Sequence, residues 1–342
     1  MKNIGTTSPL KVALHKVGLY PPRKVYDQMR YCLCQPGREE ELKTILKKYP
    51  DAVRWEKEGD IQPIAYAVWQ RQLGSVAELI KCDPTILQDK QHNGGSVLQR
   101  AVSEGNTALY HFLRGHGADA LQTDGEGNNL LHVVARSHFH PEMIPLLLQD
   151  GVDPKARNDK GESPLMITAH TGGGKMLDEF YKLDPDLAQR DGEGNTMIMA
   201  AAGTRDGDAA TIEKLVKMGA DFEAKRKDGA SALDIALGHY NACSAMALIE
   251  AGAKVDFDSP QLKTCMDIFR ECGDIGFDML IAEKKEEAAE EELTRKMRER
   301  LEQRQRAALE KQRRTDSAIA SCTEGTPKPV TVNKQLRLKA KS

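Results

Sequence analysis

Thr171-Gly172-Gly173-Gly174-Lys175 comes nearest to enzyme chemistry, because glycines ahead of a lysine can cradle the phosphates of a nucleotide. Such a loop also needs a glycine five positions before its final Gly-Lys pair and a serine or threonine after the lysine. This chain has Ala169 and Met176 there, so the segment reads as a plain turn between helices. His132, His138 and His140 lie close together, as a metal site or a general base would require, but no carboxylate or thiol at ligand spacing accompanies them. Asp124-Gly125-Glu126-Gly127 and Asp191-Gly192-Glu193-Gly194 bring carboxylates together at turn spacing, without the further oxygen ligands and closing glutamate of a calcium loop. The seven cysteines stand at 32, 34, 82, 243, 265, 272 and 322. Cys32-x-Cys34 lacks two partner ligands for zinc, and an odd, scattered set is read as reduced thiols. No Ser, His and Asp constellation accompanies them, so the expectation is a non-catalytic chain with no catalytic residue, metal or cofactor.

The elements that carry these residues repeat. Gly127-Asn128-Asn129-Leu130-Leu131-His132, Gly161-Glu162-Ser163-Pro164-Leu165-Met166, Gly194-Asn195-Thr196-Met197-Ile198-Met199 and Gly229-Ala230-Ser231-Ala232-Leu233-Asp234 are versions of one word. Marking each by its inner apolar residue gives Ile64, Leu98, Leu131, Leu165, Ile198, Leu233 and Met266, at intervals of 33 to 35 residues. A sustained period of that size means a stacked repeat array. About fifteen residues after most marks an apolar pair precedes a small turn, as in Leu147-Leu148 before Gly151-Val152-Asp153 and Leu215-Val216 before Gly219-Ala220-Asp221.

By these residues the sequence resembles the ankyrin repeat family, read as Gly-x-Thr-Pro-Leu-His-x-Ala followed by Leu-Leu-x-x-Gly-Ala-Asp. The resemblance implies an all-α solenoid of helix-turn-helix units with β-turn fingers. Each piece has a physical reason. The leading glycine permits a positive φ in the finger, Ser or Thr caps the first helix, and Pro164 suits a first turn whose N–H has no partner. Glycine after the second helix supplies a left-handed turn, and alanines let neighbouring repeats approach. At the position of His132 the family's imidazole ties the finger to backbone groups.

The resemblance is expected to cover residues 29–283 as seven to eight units, with degenerate capping repeats at 29–57 and 259–283. Arg38 to Lys48 is read as the second helix of the first cap. Residues 1–28 form an amino-terminal extension, with a short helix from Pro9 to His15 and then an extended link. From about Ile281 no Gly or Pro occurs until Gly325, which predicts one long charged helix, assigned to 284–314. Glu283 to Glu292 carries six Glu against Lys284 and Lys285, whereas Leu293 to Arg314 carries nine Lys or Arg against three Glu. That order suits the helix dipole. Leu293, Met297 and Leu301 make a narrow apolar stripe that Gln305 interrupts, too little for a strong coiled coil, so a monomer is expected, with weak helix-mediated dimerisation as the alternative. Residues 315–342, rich in Ser, Thr, Pro and Lys, are read as a disordered basic tail.

The whole chain of 342 residues is 40% hydrophobic and 29% charged with a net charge of −2, so it shows no global bias toward polyanions. No run approaches the ~18 apolar residues of a membrane span, and Met1 to Leu10 lacks the apolar core of a secretory signal, so a cytosolic protein is expected. In the ankyrin family the fingers and first helices make a concave binding surface. The exposed tips expected here are Gln122, Asp124 and Glu126; Arg157, Asn158 and Lys160; Gln189, Arg190 and Glu193; then Lys225, Arg226 and Lys227. The groove should grow basic toward the sixth repeat and suit a protein partner with a graded or acidic surface. The leading expectation is thus a non-catalytic scaffold that binds a protein. The alternative is an adaptor tethered to nucleic acid or an anionic membrane through the basic helix and tail. A short ankyrin protein with degenerate repeats and a charged tail also resembles the translocated effectors of intracellular bacteria, which would place it in a host cytosol.

Overall fold

A computed structural model describes residues 23–54, 62–90, 95–137, 139–172, 174–204, 209–271 and 275–323. The chain divides into a first unit ending at Gly273 and a second beginning at Asp274.

In the first unit the helices come in antiparallel pairs. They are α1 (Arg23–Cys34) with α2 (Glu39–Lys48), α3 (Pro63–Trp69) with α4 (Leu73–Cys82), and α5 (Val97–Ser103) with α6 (Thr107–Gly115). Next come α7 (Leu130–Ser137) with α8 (Met143–Gln149), α9 (Pro164–His170) with α10 (Gly174–Leu183), and α11 (Met197–Ala202) with α12 (Ala209–Lys217). The last pair is α13 (Ala232–Gly238) with α14 (Ala242–Glu250), followed by α15 (Pro260–Glu271). First helices stack on first helices from α1 through α15, and second helices form a second layer in which α2 packs on α4, α10 on α12, and α12 on α14. No strand occurs among the described residues beyond the antiparallel bridge between Arg190 and Thr196. This is the all-α solenoid that the resemblance implies.

Short helices of six to eight residues are marginal alone, so packing holds them. The marker residues Ile64, Leu98, Leu131, Leu165, Ile198 and Leu233 are all buried, and Ala67, Ala101, Ala135, Ala169, Ala202 and Ala236 are buried beside them. Each large aliphatic side chain contributes roughly 1.5–3 kcal/mol by burial, and the alanines set the close spacing of the first-helix row. Helix starts are capped as expected at several repeats. Ser163 Oγ accepts from the Met166 N–H, and Ser96 and Gln99 form a reciprocal capping box. The finger glycine Gly161 has φ 77°, and a Cβ there would lie 2.7 Å from the Gly192 nitrogen, so neither the turn nor the space admits a side chain.

Three boundaries differ from the sequence reading. The limit at residue 29 falls inside α1, whose buried Tyr26, Met29, Cys32 and Leu33 give the first-helix row an amphipathic face that begins before any finger signal. At the other end the seventh marker, Met266, is only half-buried, while Leu262 and Cys265 face inward, and the unit limit at Gly273 divides the expected cap at 259–283. The second unit holds α16 (Gly276–Thr323), a single helix that extends past both ends of 284–314. Residues 315–323, assigned to the tail, are helical because Ala318 and Ala320 favour it and no Gly or Pro intervenes. The expected helix over Pro9 to His15 and the tail from residue 324 lie outside the described residues. None of the described helices is long and apolar enough to cross a membrane.

Candidate functional site

The fingers are built by side chains that accept main-chain N–H groups. Asp124 Oδ1 accepts from Glu126 and Asn128, Asn158 Oδ1 from Lys160 and Glu162, and Asp191 Oδ1 from Glu193 and Asn195, all at 2.8–3.1 Å. One short polar side chain at this register thus closes each turn. Arg226 occupies the equivalent place in the next finger and lacks an acceptor, so Asp228 takes over and accepts from the Ala230 N–H at 3.1 Å.

Fingers also hold one another. The Asp159 N–H donates to the Glu126 carbonyl at 3.0 Å, and the Gly192 N–H to the Lys160 carbonyl at 2.7 Å. Arg157 Nη1 donates to the carbonyls of Gly161 at 2.6 Å and Arg190 at 2.9 Å. Arg190 Nη1 repeats the arrangement on Gly194 at 2.7 Å and Lys225 at 3.0 Å. Asn158 Nδ2 donates to Asn128 Oδ1 at 2.9 Å and to Glu162 Oε2 at 3.0 Å.

His132 behaves as the resemblance implies. It is fully buried, its Nε2 lies 3.0 Å from the Glu162 carbonyl, and its Nδ1 accepts from the Asn129 N–H at 3.2 Å. Nδ1 also lies 2.7 Å from Asn129 Oδ1, so both ring nitrogens are held by polar groups of the fingers. Burial pushes its pKa below the ordinary histidine value, with the Glu162 carbonyl opposing. His140 pairs locally with Glu142 at 3.2 Å, and His138 lies outside the described residues. The described residues contain no group of three His, Cys, Asp or Glu placed to hold a metal ion. Gly174 opens α10, and its carbonyl accepts from Lys214 Nζ, so the glycine-rich segment joins two helices as read. Cys32 and Cys265 are buried, and burial raises both thiols above their ordinary pKa.

Between consecutive fingers and the first helices lies an open groove of about 540 Å³. Met199, Ala200, Gly203 and Ile235 form its floor, and His170 and His239 stand at the ends of α9 and α13. Its rim carries Asp159, Glu162, Asp191 and Glu193 against Lys160 and Arg226. Glu162 is held at a pKa of about 2, first by His170, whose Nδ1 is 3.7 Å from Oε1, and then by the Asn158 amide. Arg226 is turned onto Asp228, with Nη2 to Oδ2 at 2.5 Å and Nε to Oδ1 at 2.7 Å.

The residues expected at the tips therefore separate. Lys160, Glu193 and Arg226 line the groove, Lys225 and Lys227 are exposed on the next finger, and Gln122, Asp124 and Glu126 belong to an earlier finger. Asn158 and Gln189 are not tips: both are buried, because Asn158 closes its turn and Gln189 bonds Asp184 and Ser163 at 2.6 Å. Arg157 and Arg190 are exposed on one side but have Nη1 committed to carbonyls. The lining of this groove is consequently acid-rich, while Lys225 and Lys227 stand exposed on the finger beside it. His170, Met199, Ile235 and His239 were missed by attention to finger tips; their signal was their place two to six residues after a buried marker, or one residue after it for Met199.

The family description "Ankyrin repeats (3 copies)" matches residues 64–158, 98–191 and 131–225. The chain is 26% identical over 209 residues to Palmitoyltransferase AKR1 of Lachancea kluyveri, covering 59% of this chain and 28% of that protein. It is 29% identical over 165 residues to the mouse NF-kappa-B inhibitor zeta, covering 46% and 21%. It is 26% identical over 156 residues to the Caenorhabditis elegans homolog of Transient receptor potential cation channel subfamily A member 1, covering 45% and 13%. The chain thus spans less than a third of the length of these relatives. With stacked helix pairs at a 33-residue period, glycine-led fingers and the buried His132 tie, residues 64–225 are ankyrin repeats.

Proposed function

We propose that the array binds a protein partner through the groove between residues 159 and 239, and that the partner presents basic side chains to it. The carrying observation is the lining: four carboxylates stand against Lys160 and Arg226, above a floor of Met199, Ala200 and Ile235. Arg226 is already faced by Asp228, so its charge is locally balanced. An apolar floor with a charged rim is the arrangement in which a buried anchor supplies affinity and complementary charge selects the partner. On this reading the array acts by binding.

The test is affinity purification with the full chain beside two variants. Asp159→Lys with Glu193→Lys reverses exposed rim charge without touching the Asx acceptors, and Lys225→Glu with Lys227→Glu reverses the neighbouring basic finger. Retention by the wild type and the second variant, with loss from the first, supports the acidic groove. Loss from the second variant alone moves the site to the basic finger. Equal retention by all three removes the groove from consideration.

A further inference from the structure

We propose that α16 pairs with the same helix of a second copy of this chain, antiparallel, about a centre at Met297. Three features of the helix point there. First, Leu293, Met297, Leu301 and Leu309 are 57%, 62%, 56% and 53% exposed, and no described residue from Lys285 to Glu310 is buried. Leu293, Met297 and Leu301 are four apart, so they share one face of the helix. An exposed row of large apolar side chains on a helix otherwise made of charged residues is the kind of surface that partners cover.

Second, the charge is segregated. The segment Glu283 to Glu292 is strongly acidic, and Leu293 to Arg314 strongly basic. Two copies laid parallel would set acid against acid and base against base along most of their length. Laid antiparallel about Met297, they set Glu283 to Glu292 of each against residues 302–311 of the other, where Arg304, Arg306 and Lys311 outnumber Glu302 and Glu310. Opposite charges flanking an apolar seam choose orientation in this way, while like charges exclude the wrong one.

Third, one register satisfies both features together. With Met297 opposite Met297, Leu293 falls opposite Leu301 of the second copy. Glu290 falls opposite Arg304, Glu283 opposite Lys311, and Gln305 opposite the small Ala289. The interruption at Gln305 therefore costs little packing in this register. Glu292 falls opposite Glu302 in this register, but its charge is already met within its own helix by Arg295 at 2.5 Å and Lys296 at 3.2 Å. Glu290 and Arg304 carry no ion pair among the described residues, which leaves both for a second chain. The apolar stripe alone is short, so the pairing depends on these charges and weakens as salt screens them.

The test uses the full chain in light scattering across concentration at low and at high salt, with Glu290→Arg, Arg304→Glu and the double reversal. The expected wild-type result is a mass of two chains at low salt that falls toward one at high salt. Each single reversal places like charges opposite one another and should raise the dissociation constant about tenfold, and the double reversal should return it near the wild-type value. Equal helical circular dichroism across the set shows that the helix itself persists. Orientation is read by oxidation of chains that carry Cys82→Ser, Cys243→Ser, Cys272→Ser and Cys322→Ser, because Cys82 and Cys243 are exposed thiols. Mixed Leu293→Cys and Leu301→Cys chains should crosslink to each other, and neither variant should crosslink to itself. A single-chain mass at every concentration overturns the proposal, as does a double reversal no better than the singles. Self-crosslinking of Leu293→Cys would establish parallel pairing and overturn it equally.

Discussion

Arg157 donates from Nη1 to the main-chain carbonyl of Arg190, 2.9 Å away, and Arg190 donates from its own Nη1 to the carbonyl of Lys225 at 3.0 Å. Each guanidinium also reaches the carbonyl of its own finger glycine, so one nitrogen joins two successive turns. The two arginines act on the geometry of the groove from its edge.

Arg157→Ala and Arg190→Ala should each lower unfolding stability by about 1–2 kcal/mol in urea, since each removes charge-assisted bonds to two main-chain carbonyls. Lysine should restore only part of this, because its flexible stem does not hold a planar donor between two acceptors. Unchanged stability with lost partner binding would instead make the arginines direct contacts.

The Tyr110 hydroxyl donates to Asp150 Oδ2, and Arg114 donates to the same carboxylate through Nε at 2.9 Å and Nη2 at 3.1 Å. The guanidinium holds Asp150 below the usual carboxylate range, and burial pushes the Tyr110 hydroxyl up. Asp150→Ala leaves Tyr110, almost wholly buried, without its acceptor. A loss of about 2–4 kcal/mol is expected in chemical denaturation, against about 1 kcal/mol or less for Arg114→Ala together with Asp150→Ala relative to Asp150→Ala alone.

Stability should fall in two steps as pH is lowered. His132 has a depressed pKa in the fold, so the unfolded chain takes up its proton first, and stability present above about 6.5 declines below it. Glu162 has a folded pKa of about 2 against an ordinary 4.5, so its contribution is present above 4.5 and is lost as pH falls toward 2. His132→Gln should flatten the upper step and Glu162→Gln the lower one, in melting curves taken from pH 7 to pH 2. Asp83, held at about 2 chiefly by Arg54, adds to the lower step and remains in both variants.

Lys214 rather than Lys175 should matter at the glycine-rich turn. Lys214 Nζ donates to the Gly174 carbonyl and lies 2.6 Å from Asp178 Oδ2, whereas Lys175 is exposed. Lys214→Ala should cost about 1 kcal/mol and Lys175→Ala nearly nothing, and added ATP should leave the melting temperature of each unchanged. A nucleotide-dependent rise in melting temperature would revive the phosphate-loop reading.

The repeats were legible because their signal is burial. Leu98, Leu131, Leu165, Ile198 and Leu233 must face inward, and inward residues recur at the period of the stack. The finger residues were legible in type and misread in role. Asn158 and Arg157 look like solvated tips in a sequence, because a polar side chain that closes a turn or clasps a carbonyl has the composition of one that meets water. The departure at Arg226 was visible only by alignment with Asp124, Asn158 and Asp191, which shows a missing acceptor in the basic finger. His170 and His239 reach the groove through the stacking of α9, α11 and α13, a relation of adjacent helices that no single repeat displays. The start of α1 was hidden because no finger precedes it, although the spacing of Tyr26, Met29 and Leu33 carries a helical face.

The length of α16 gives a different kind of consequence. At 1.5 Å per residue, an antiparallel pair centred on Met297 sets the two Gly276 positions about 63 Å apart. Such a dimer would be bivalent. Targets that present two copies of a ligand would be held by avidity, while single copies of the same ligand would dissociate at the rate of one groove.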